Sequence, residues 1–319
     1  MAAGNMTAVV FGGGGFIGRH LVRRLGKSGA VVRVPSRHPS RLAFLRTAGV
    51  VGQIVPELIG AYDDEELAAT IQGADVVINL VGILAENRRN TFERIHAALP
   101  GRIAAASAAA GVRHLVHVSA LGADAHSAAA YARSKAAGEE AVRAAFPQAT
   151  IIRPSIVFGP EDKFFNRFAA MSQISPVLPL IGGGHTRFQP VYVGDVADGI
   201  MKVLASPEAA GKTYEFGGPL TYSFRELMEL LTAEIGIKRL LVPIPWGLAS
   251  LQAGFAQHLP GAPLTPDQVE LLKTDNVLSG SAPGLTDLGI QPAAAELILP
   301  TYMDRFHKGG RTGLQRTAP

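Results

Sequence analysis

Tyr131-Ala132-Arg133-Ser134-Lys135 sets a phenol and an ammonium four positions apart, a spacing that puts both side chains on one face of a helix. An ammonium beside a phenol favours the phenolate, and each pKa unit gained is worth ~1.4 kcal/mol. A tyrosine tuned in this way exchanges a proton with a substrate oxygen while a nicotinamide exchanges a hydride. The pair by itself is also an ordinary helix-surface pairing, so its meaning depends on what else the chain supplies.

Residues 9–18, Val9-Val10-Phe11-Gly12-Gly13-Gly14-Gly15-Phe16-Ile17-Gly18, supply it. An apolar run stops in glycines and an amphipathic segment follows at once, which reads as strand, tight turn and helix. The helix start, with Phe16 and Ile17, aims bare N–H groups and a positive dipole end at the turn, which suits a pyrophosphate. Gly12, Gly15 and Gly18 give G-x-x-G-x-x-G, and Gly13 also admits the shorter G-x-G-x-x-G. A plain structural turn is the competing reading. NAD-binding folds place an acid after the second strand to accept from the ribose hydroxyls. Here that place reads Val34-Pro35-Ser36-Arg37-His38-Pro39-Ser40-Arg41. Arg37 can clamp a 2′-phosphate and Ser36 can add a bond, which favours NADP(H) over the alternative, NAD(H).

The elements that must position these groups alternate along the first half. A strand starts by about Thr7, and others cover 30–34, 74–81, 114–118 and 150–153. Helices cover 16–25, 92–110 and 131–145, and Asp64-Glu65-Glu66 opens another, where acids suit the dipole. This alternation predicts an α/β chain with a Rossmann-like, doubly wound parallel sheet and ligands at the strand C-terminal edges. After Pro160 prolines and glycines become frequent. The expected division is a nucleotide-binding core over 1–160, a smaller C-terminal lobe over 161–307 interleaved with the core, and a flexible tail over 308–319.

Composition narrows the function classes. Apolar residues make up 47% and charged residues 18% of 319, and the mean hydropathy is +0.20, as in a folded protein. The net charge of +4 is scattered, without the basic aromatic patches of nucleic-acid binders. There are no cysteines, which excludes disulfides, thiolate catalysis and cysteine-held metals. His114 and His117 point to opposite faces of one strand and cannot share a metal, so no metal site is expected. No G-x-S-x-G or hydrolase triad is present. The expectation is a cytoplasmic protein with no leader before its first strand and no membrane span. The apolar stretch 240–256, broken by Pro243, Pro245, Gly247 and Gly254, reads as a buried or interfacial helix.

These motifs resemble the extended short-chain dehydrogenase/reductases over nearly the whole chain. The shared marks are Gly12 to Gly18, the pair Tyr131 and Lys135, and Arg153-Pro154 running to Gly159-Pro160. Val193-Gly194-Asp195-Val196-Ala197 matches the family's V-x-D-V-A helix start, with Asp195 as N-cap. Within the family the chain is similar to an atypical branch around the accessory NAD(P)H-binding subunit of respiratory complex I, alpha-subcomplex subunit nine. Asn79-Leu80-Val81-Gly82-Ile83-Leu84, Val118-Ser119-Ala120-Leu121-Gly122 and Phe158-Gly159-Pro160-Glu161-Asp162 carry that likeness. So do Asp267-Gln268-Val269, Asp275-Asn276 and Asp287-Leu288-Gly289-Ile290.

The resemblance implies that Leu80, Val81, Gly82 and Pro154 join Lys135 and the glycines in holding the nucleotide. It implies Tyr131, Lys135 and Ser119 as the catalytic set. Two departures stand out. Active extended members carry an asparagine about fifteen residues before the glycine that ends the fourth helix, and counting back from Gly111 gives His96. Ser119 lies near the serine position, but Leu121 holds the matching offset, so Ser119 either touches cofactor or only ends the strand. The leading expectation is an accessory protein with complex I subunits as partners, docked near the membrane surface, with residues 240–259, Trp246 and Phe255 as contact element. The alternatives are a free-standing oxidoreductase or epimerase, with a link to ubiquinone biosynthesis, and a nucleotide-sensing interaction protein.

Overall fold

A computed structural model describes residues 6–257 and 264–307; the tail expected over 308–319 lies outside them. From the N-terminus run β1 (Thr7–Phe11), α1 (Phe16–Lys27), β2 (Val31–Ser36), β3 (Ile54–Leu58), α2 (Asp64–Ile71) and β4 (Val76–Asn79). Then follow α3 (Leu99–Ala109), β5 (His114–Val118), α4 (Ala130–Ala145) and β6 (Thr150–Pro154). Next come β7 (Val157–Phe158), α5 (Phe165–Ile174), β8 (Val177–Ile181), β9 (Arg187–Phe188) and β10 (Val191–Tyr192). The chain continues with α6 (Val193–Ala205), β11 (Thr213–Phe216), β12 (Tyr222–Ser223), α7 (Phe224–Glu234) and β13 (Leu240–Ile244). It ends with α8 (Trp246–Ala256), α9 (Pro266–Leu271), α10 (Ala295–Ile298) and α11 (Pro300–Met303).

Two compact units share these elements. One comprises residues 1–154, 193–216 and 279–290, and the other 155–192, 217–278 and 291–319. The first crossing falls after Pro154, where the sequence alone places the change after Pro160.

The first unit is a seven-stranded sheet in the order β11-β6-β5-β4-β1-β2-β3, parallel at every pairing. That order places the dinucleotide crevice at the reversal between β1 and β4. Strand side chains alternate, and both faces are covered, so the central strands are apolar throughout. Val9, Phe11, Val77, Leu115 and Ile151 meet Leu67, Ile71, Leu99, Ile103 and Val142 of α2, α3 and α4. The other face is left to α1 and α6, which pack together. Helix α1 buries Gly18, Leu21, Val22, Leu25 and Gly26, the i, i+3, i+4, i+7, i+8 pattern of one helical face. Its Arg24 forks onto Asp198 of α6 at 2.7 and 2.8 Å. Asp195 lies inside the first turn of α6 rather than at its cap, where its charge still meets the positive helix end.

The helix expected over 92–110 is a composite: a π turn over Glu93–Ala98 runs directly into α3. Pro100 explains the change of pitch, because it has no N–H to give the carbonyl four residues back, that of His96. Gly138 of α4 packs against that carbonyl, and a Cβ at Gly138 would overlap the His96 oxygen. The π turn thereby sets the place of the His96 ring.

The second unit builds its own core from Phe158, Phe165, Leu178, Phe188, Phe224, Leu227 and Met303. Buried Asp162 accepts from the backbone of Gly159, Phe164 and Asn166 and from the Tyr302 hydroxyl at 2.8 Å. Ser155 donates to Asn276 Oδ1 at 2.7 Å, and Arg187 pairs with Asp275 at 2.8 Å. The motifs ending in Asp162 and Asn276 are therefore structural clasps of this unit. The stretch read as one helix over 240–256 is instead a strand and a helix. Leu240–Ile244 pairs in parallel with β8, and the prolines at 243 and 245 delay the helix to Trp246.

Candidate cofactor site

Gly12 adopts φ +77, and the backbone of Leu80 lies 3.0 Å from where its Cβ would stand. Gly15 caps α1, its N–H bonded to Gly12 O at 2.9 Å. A Cβ at Gly18 would overlap Gly12 O, so the helix seats on the turn only because both are glycine. Gly13 is buried beneath the turn, and Phe16 and Ile17 form the first turn of α1. This cradle fits a dinucleotide: the turn is stripped of side chains where a pyrophosphate needs close approach.

A cleft opens from that turn, lined by Gly12, Gly14, Gly15, Ser36, Arg37 and Val81, all expected from the sequence. Pro35, His38, Leu42 and Tyr62 line it as well, and these the sequence reading missed. Ser36 Oγ accepts from His38 N–H at 3.1 Å, while Arg37 is exposed and no acid stands beside it on the strand end.

A second constellation surrounds Tyr131 and Lys135. Lys135 is buried, with Nζ 3.4 Å from Val118 O and 5.9 Å from the Tyr131 ring centre. A Cβ at Gly82 would stand 3.4 Å from Nζ, which ties the 80–82 segment to this group. Burial pushes the Tyr131 phenol up to about 12. Burial also lowers Lys135 to about 8, against an opposing pull from Glu139. The expected bias toward phenolate is thus overruled in this state by desolvation of both partners. Glu139, buried one turn beyond Lys135, holds Arg153 through two 2.8 Å bonds and Arg143 at 3.1 Å.

His96 sits against this pair, its ring stacked on Phe92 at 5.2 Å and edge-on to Tyr131 at 5.2 Å. Ser134 Oγ gives its proton to Tyr131 O at 2.7 Å, so His96 Nδ1 must donate to Ser134 Oγ at 3.0 Å. Its Nε2 then accepts from Ile83 N–H at 3.0 Å. Burial and the neighbouring Lys135 lower His96 to about 3. The ring is held neutral in one tautomer.

On β5 the opposite tautomer is fixed. Asn79 Oδ1 accepts from Val81 N–H at 3.1 Å, which turns its Nδ2 toward His117 Nδ1 at 3.2 Å. The His117 proton is left on Nε2. That atom and Ser119 Oγ are buried with no hydrogen-bond partner among the described residues. Ser119 closes the strand through its N–H to Ile152 O at 2.8 Å, as Leu121 N–H does on Pro154 O at 2.9 Å. No group of metal-ligating side chains occurs among the described residues, and no helix there is long and apolar enough to cross a membrane. Trp246 is half-buried over Gly182, whereas Phe255 is 74% exposed.

A parallel sheet in this order, a glycine turn at its crevice and a Tyr–Lys pair on the helix after β5 define a nicotinamide-nucleotide-binding fold of the extended short-chain dehydrogenase/reductase type. The chain belongs to the NAD dependent epimerase/dehydratase family, whose pattern matches residues 8–217. It is 39% identical over 295 residues to the mitochondrial NADH dehydrogenase (ubiquinone) 1 alpha subcomplex subunit 9 of Mus musculus, covering 92% of this chain and 78% of that protein. It is 32% identical over 239 residues to a ceramide reductase of Caulobacter vibrioides, covering 75% and 74%. Among solved structures, an NADPH-dependent quinone oxidoreductase of Escherichia coli complexed with NADPH shares the fold. Its TM-score is 0.73 at 18% identity, over 91% of this chain and 97% of that one.

Proposed function

We propose that this chain is an NADP(H)-holding accessory subunit of a respiratory NADH:ubiquinone oxidoreductase, in which the nucleotide is mainly structural or regulatory. The observation that carries the retention-without-turnover part is His96. It occupies the position where the resemblance calls for an asparagine, and its ring nitrogens are committed to Ile83 and Ser134. Neither nitrogen is available to pass a proton from Lys135 onward. The likeness to subunit 9 supports the choice of partner, and the peripheral, cytoplasmic-side location follows from that choice.

Gly12, Gly14 and Gly15 would receive the pyrophosphate over the helix that Gly18 seats, Ser36 and Arg37 the adenosine ribose and its 2′-phosphate, and Lys135 with Tyr131 the other ribose. A bound nicotinamide supplies a hydride donor or acceptor. What the chain's own residues do is seat the nucleotide and keep water from Lys135, which is 4% exposed. The test is purification from native membranes, followed by mass spectrometry of the bound nucleotide and turnover assays with ketones and quinones. Co-purification with complex I subunits and retained, unoxidised nucleotide are expected. Rapid NADPH oxidation abolished by Tyr131→Phe would overturn the reading.

A second reading, a working NADPH-dependent reductase, is favoured by the intact Tyr131 and Lys135 pair and by the likeness to a ceramide reductase. The same turnover assay separates the two.

A further inference from the structure

Residues 1–56 contain eight lysines and arginines and no aspartate or glutamate, while the rest of the chain is net acidic. Charge asymmetry of this kind marks a segment that meets an anionic surface. Four of the eight cations are engaged within the first unit. Arg24 pairs with Asp198 and Arg33 with Glu57, Arg19 lies over the Phe44 ring, and Arg37 lines the cofactor cleft. The others are exposed. Of these, Arg23 and Lys27 lie one turn apart near the end of α1, and Arg46 lies in the 3-10 segment Pro39–Ala48 that packs on it. Ala48 O stands 2.7 Å from the place a Gly26 Cβ would take, which brings the ends of both segments together.

A tight turn follows these cations directly. Gln53 N–H bonds to Val50 O at 3.1 Å, and Gly52 takes φ +81. The buried Gln53 side chain fastens the turn to the end of α1 and the start of β2. Its Oε1 accepts from Val50 N–H at 2.9 Å, and its Nε2 donates to Gly26 O at 2.7 Å and Ala30 O at 3.0 Å. Turn tips favour glycine, proline, asparagine, aspartate and serine. This one instead presents Val50, 75% exposed, and Val51, fully exposed. Val31, 42% exposed, adjoins them along one cleft. A clustered apolar tip held rigidly in solvent marks a contact surface.

We propose that this turn is a wedge for an anionic lipid surface. Val50 and Val51 enter the boundary between headgroups and acyl chains, and Arg23, Lys27 and Arg46 meet the lipid phosphates around them. A bilayer accepts protruding apolar groups without a matching pocket, and its anionic headgroups complement a collar of cations. A nucleic acid would use the cations but stacks its bases on aromatic rings, not on aliphatic tips. A second copy of this chain would set like charges against one another. Gln53 has already ordered the turn, so little conformational freedom is lost on contact. The glycine turn and this one adjoin opposite ends of α1, roughly 18 Å apart by the rise of its 12 residues. Lipid and nucleotide therefore bind without competing, and the contact requires no protein partner.

The test sediments the full-length protein with phosphatidylcholine vesicles, with and without about one-third phosphatidylglycerol. Binding to the anionic vesicles that weakens with salt is expected. Joint replacement of Arg23, Lys27 and Arg46 by glutamine should weaken it about 100-fold, roughly fivefold per cation. Val50→Ser with Val51→Ser should weaken it about tenfold and leave the salt dependence unchanged. The chain has no cysteine, so Val51→Cys supplies a single thiol for a polarity-sensitive dye, whose emission should shift to the blue on anionic vesicles. A dye on Phe255→Cys reports contact through residues 240–259 instead. No vesicle binding, or no response at position 51 whatever position 255 shows, would overturn the inference. Full binding by the double valine variant would also overturn it, in favour of a purely electrostatic face for an acidic macromolecule. So would displacement from vesicles by excess NADPH, which would move the contact to the cofactor cleft. Each of these results leaves the accessory-subunit reading standing; only the co-purification and turnover assays bear on that.

Discussion

Lowering the pH from 7 to 5 tests whether His96 and His117 are held neutral. Each ring starts from an ordinary value of 6.5 and is lowered to about 3, chiefly by burial and next by the charge on Lys135. The native state therefore binds fewer protons than the unfolded chain between these values, and stability falls as the solution is acidified. At pH 5 the unfolded rings lie about 1.5 units below their pKa, so each contributes a loss of about 2 kcal/mol, and the pair about 4 kcal/mol. That is a large share of the ~5–15 kcal/mol by which domains are stable. Lowered carboxylates such as Glu66 and Asp75 add little in this window, because they titrate below the ordinary carboxylate range. His114, also lowered, acts in the same direction, and Asp162, raised by burial, acts in the opposite one. Urea unfolding at both pH values, on the protein and on His96→Gln and His117→Gln, isolates each contribution. Each variant should lose about 2 kcal/mol of the pH-dependent difference. An unchanged pH dependence in both variants, with unchanged m-values, refutes the argument. Imidazole nitrogen NMR provides a second reading: the proton should sit on Nδ1 in His96 and on Nε2 in His117.

Gly138→Ala should cost about 2–4 kcal/mol in urea unfolding, because its Cβ displaces the His96 carbonyl and with it the π turn. Glu139→Gln should cost about 3–5 kcal/mol by leaving Arg153 without its buried counter-ion. The same change should lower Lys135 further, since Glu139 is the group that raises it; nitrogen or methyl-tag NMR of Lys135 against pH reads that shift. Arg37→Asp should reverse the preference for NADPH over NADH in equilibrium titrations, and equal wild-type affinity for the two within about tenfold, ~1.4 kcal/mol, would count against a 2′-phosphate clamp.

The parts of the fold legible in the sequence are those where local pattern and tertiary role coincide. β1 and β4 are buried on both faces and read as apolar runs, β5 reads through Leu115, Val116 and Val118 despite its two histidines, and the glycine turn reads through its spacing. β3 and β11, at the two sheet edges, escaped notice because an edge strand tolerates breaks in the pattern. Pro56 and Glu57 interrupt β3, its Leu58 is 73% exposed, and Glu215 interrupts β11. The π turn left one signal, Pro100 within a helical run. Tyr62, with its φ of +59, left none, since left-handed backbone is ordinarily signalled by glycine or asparagine. The histidine tautomers depend on Asn79, Ile83 and Ser134, which converge only in three dimensions.

The course of the chain through the two units bears on how the protein is made. The outer edge of β6 is covered by β11, yet residues 155–192 belong to the other unit and are synthesised in between. At ~5–20 residues per second, the roughly sixty residues from Pro154 to Thr213 keep that edge open on the ribosome for about 3–12 s. An uncovered strand edge is a template for pairing with another chain. A fragment ending near residue 160 would keep this edge permanently bare, so aggregation resistance belongs to the whole polypeptide rather than to its first half.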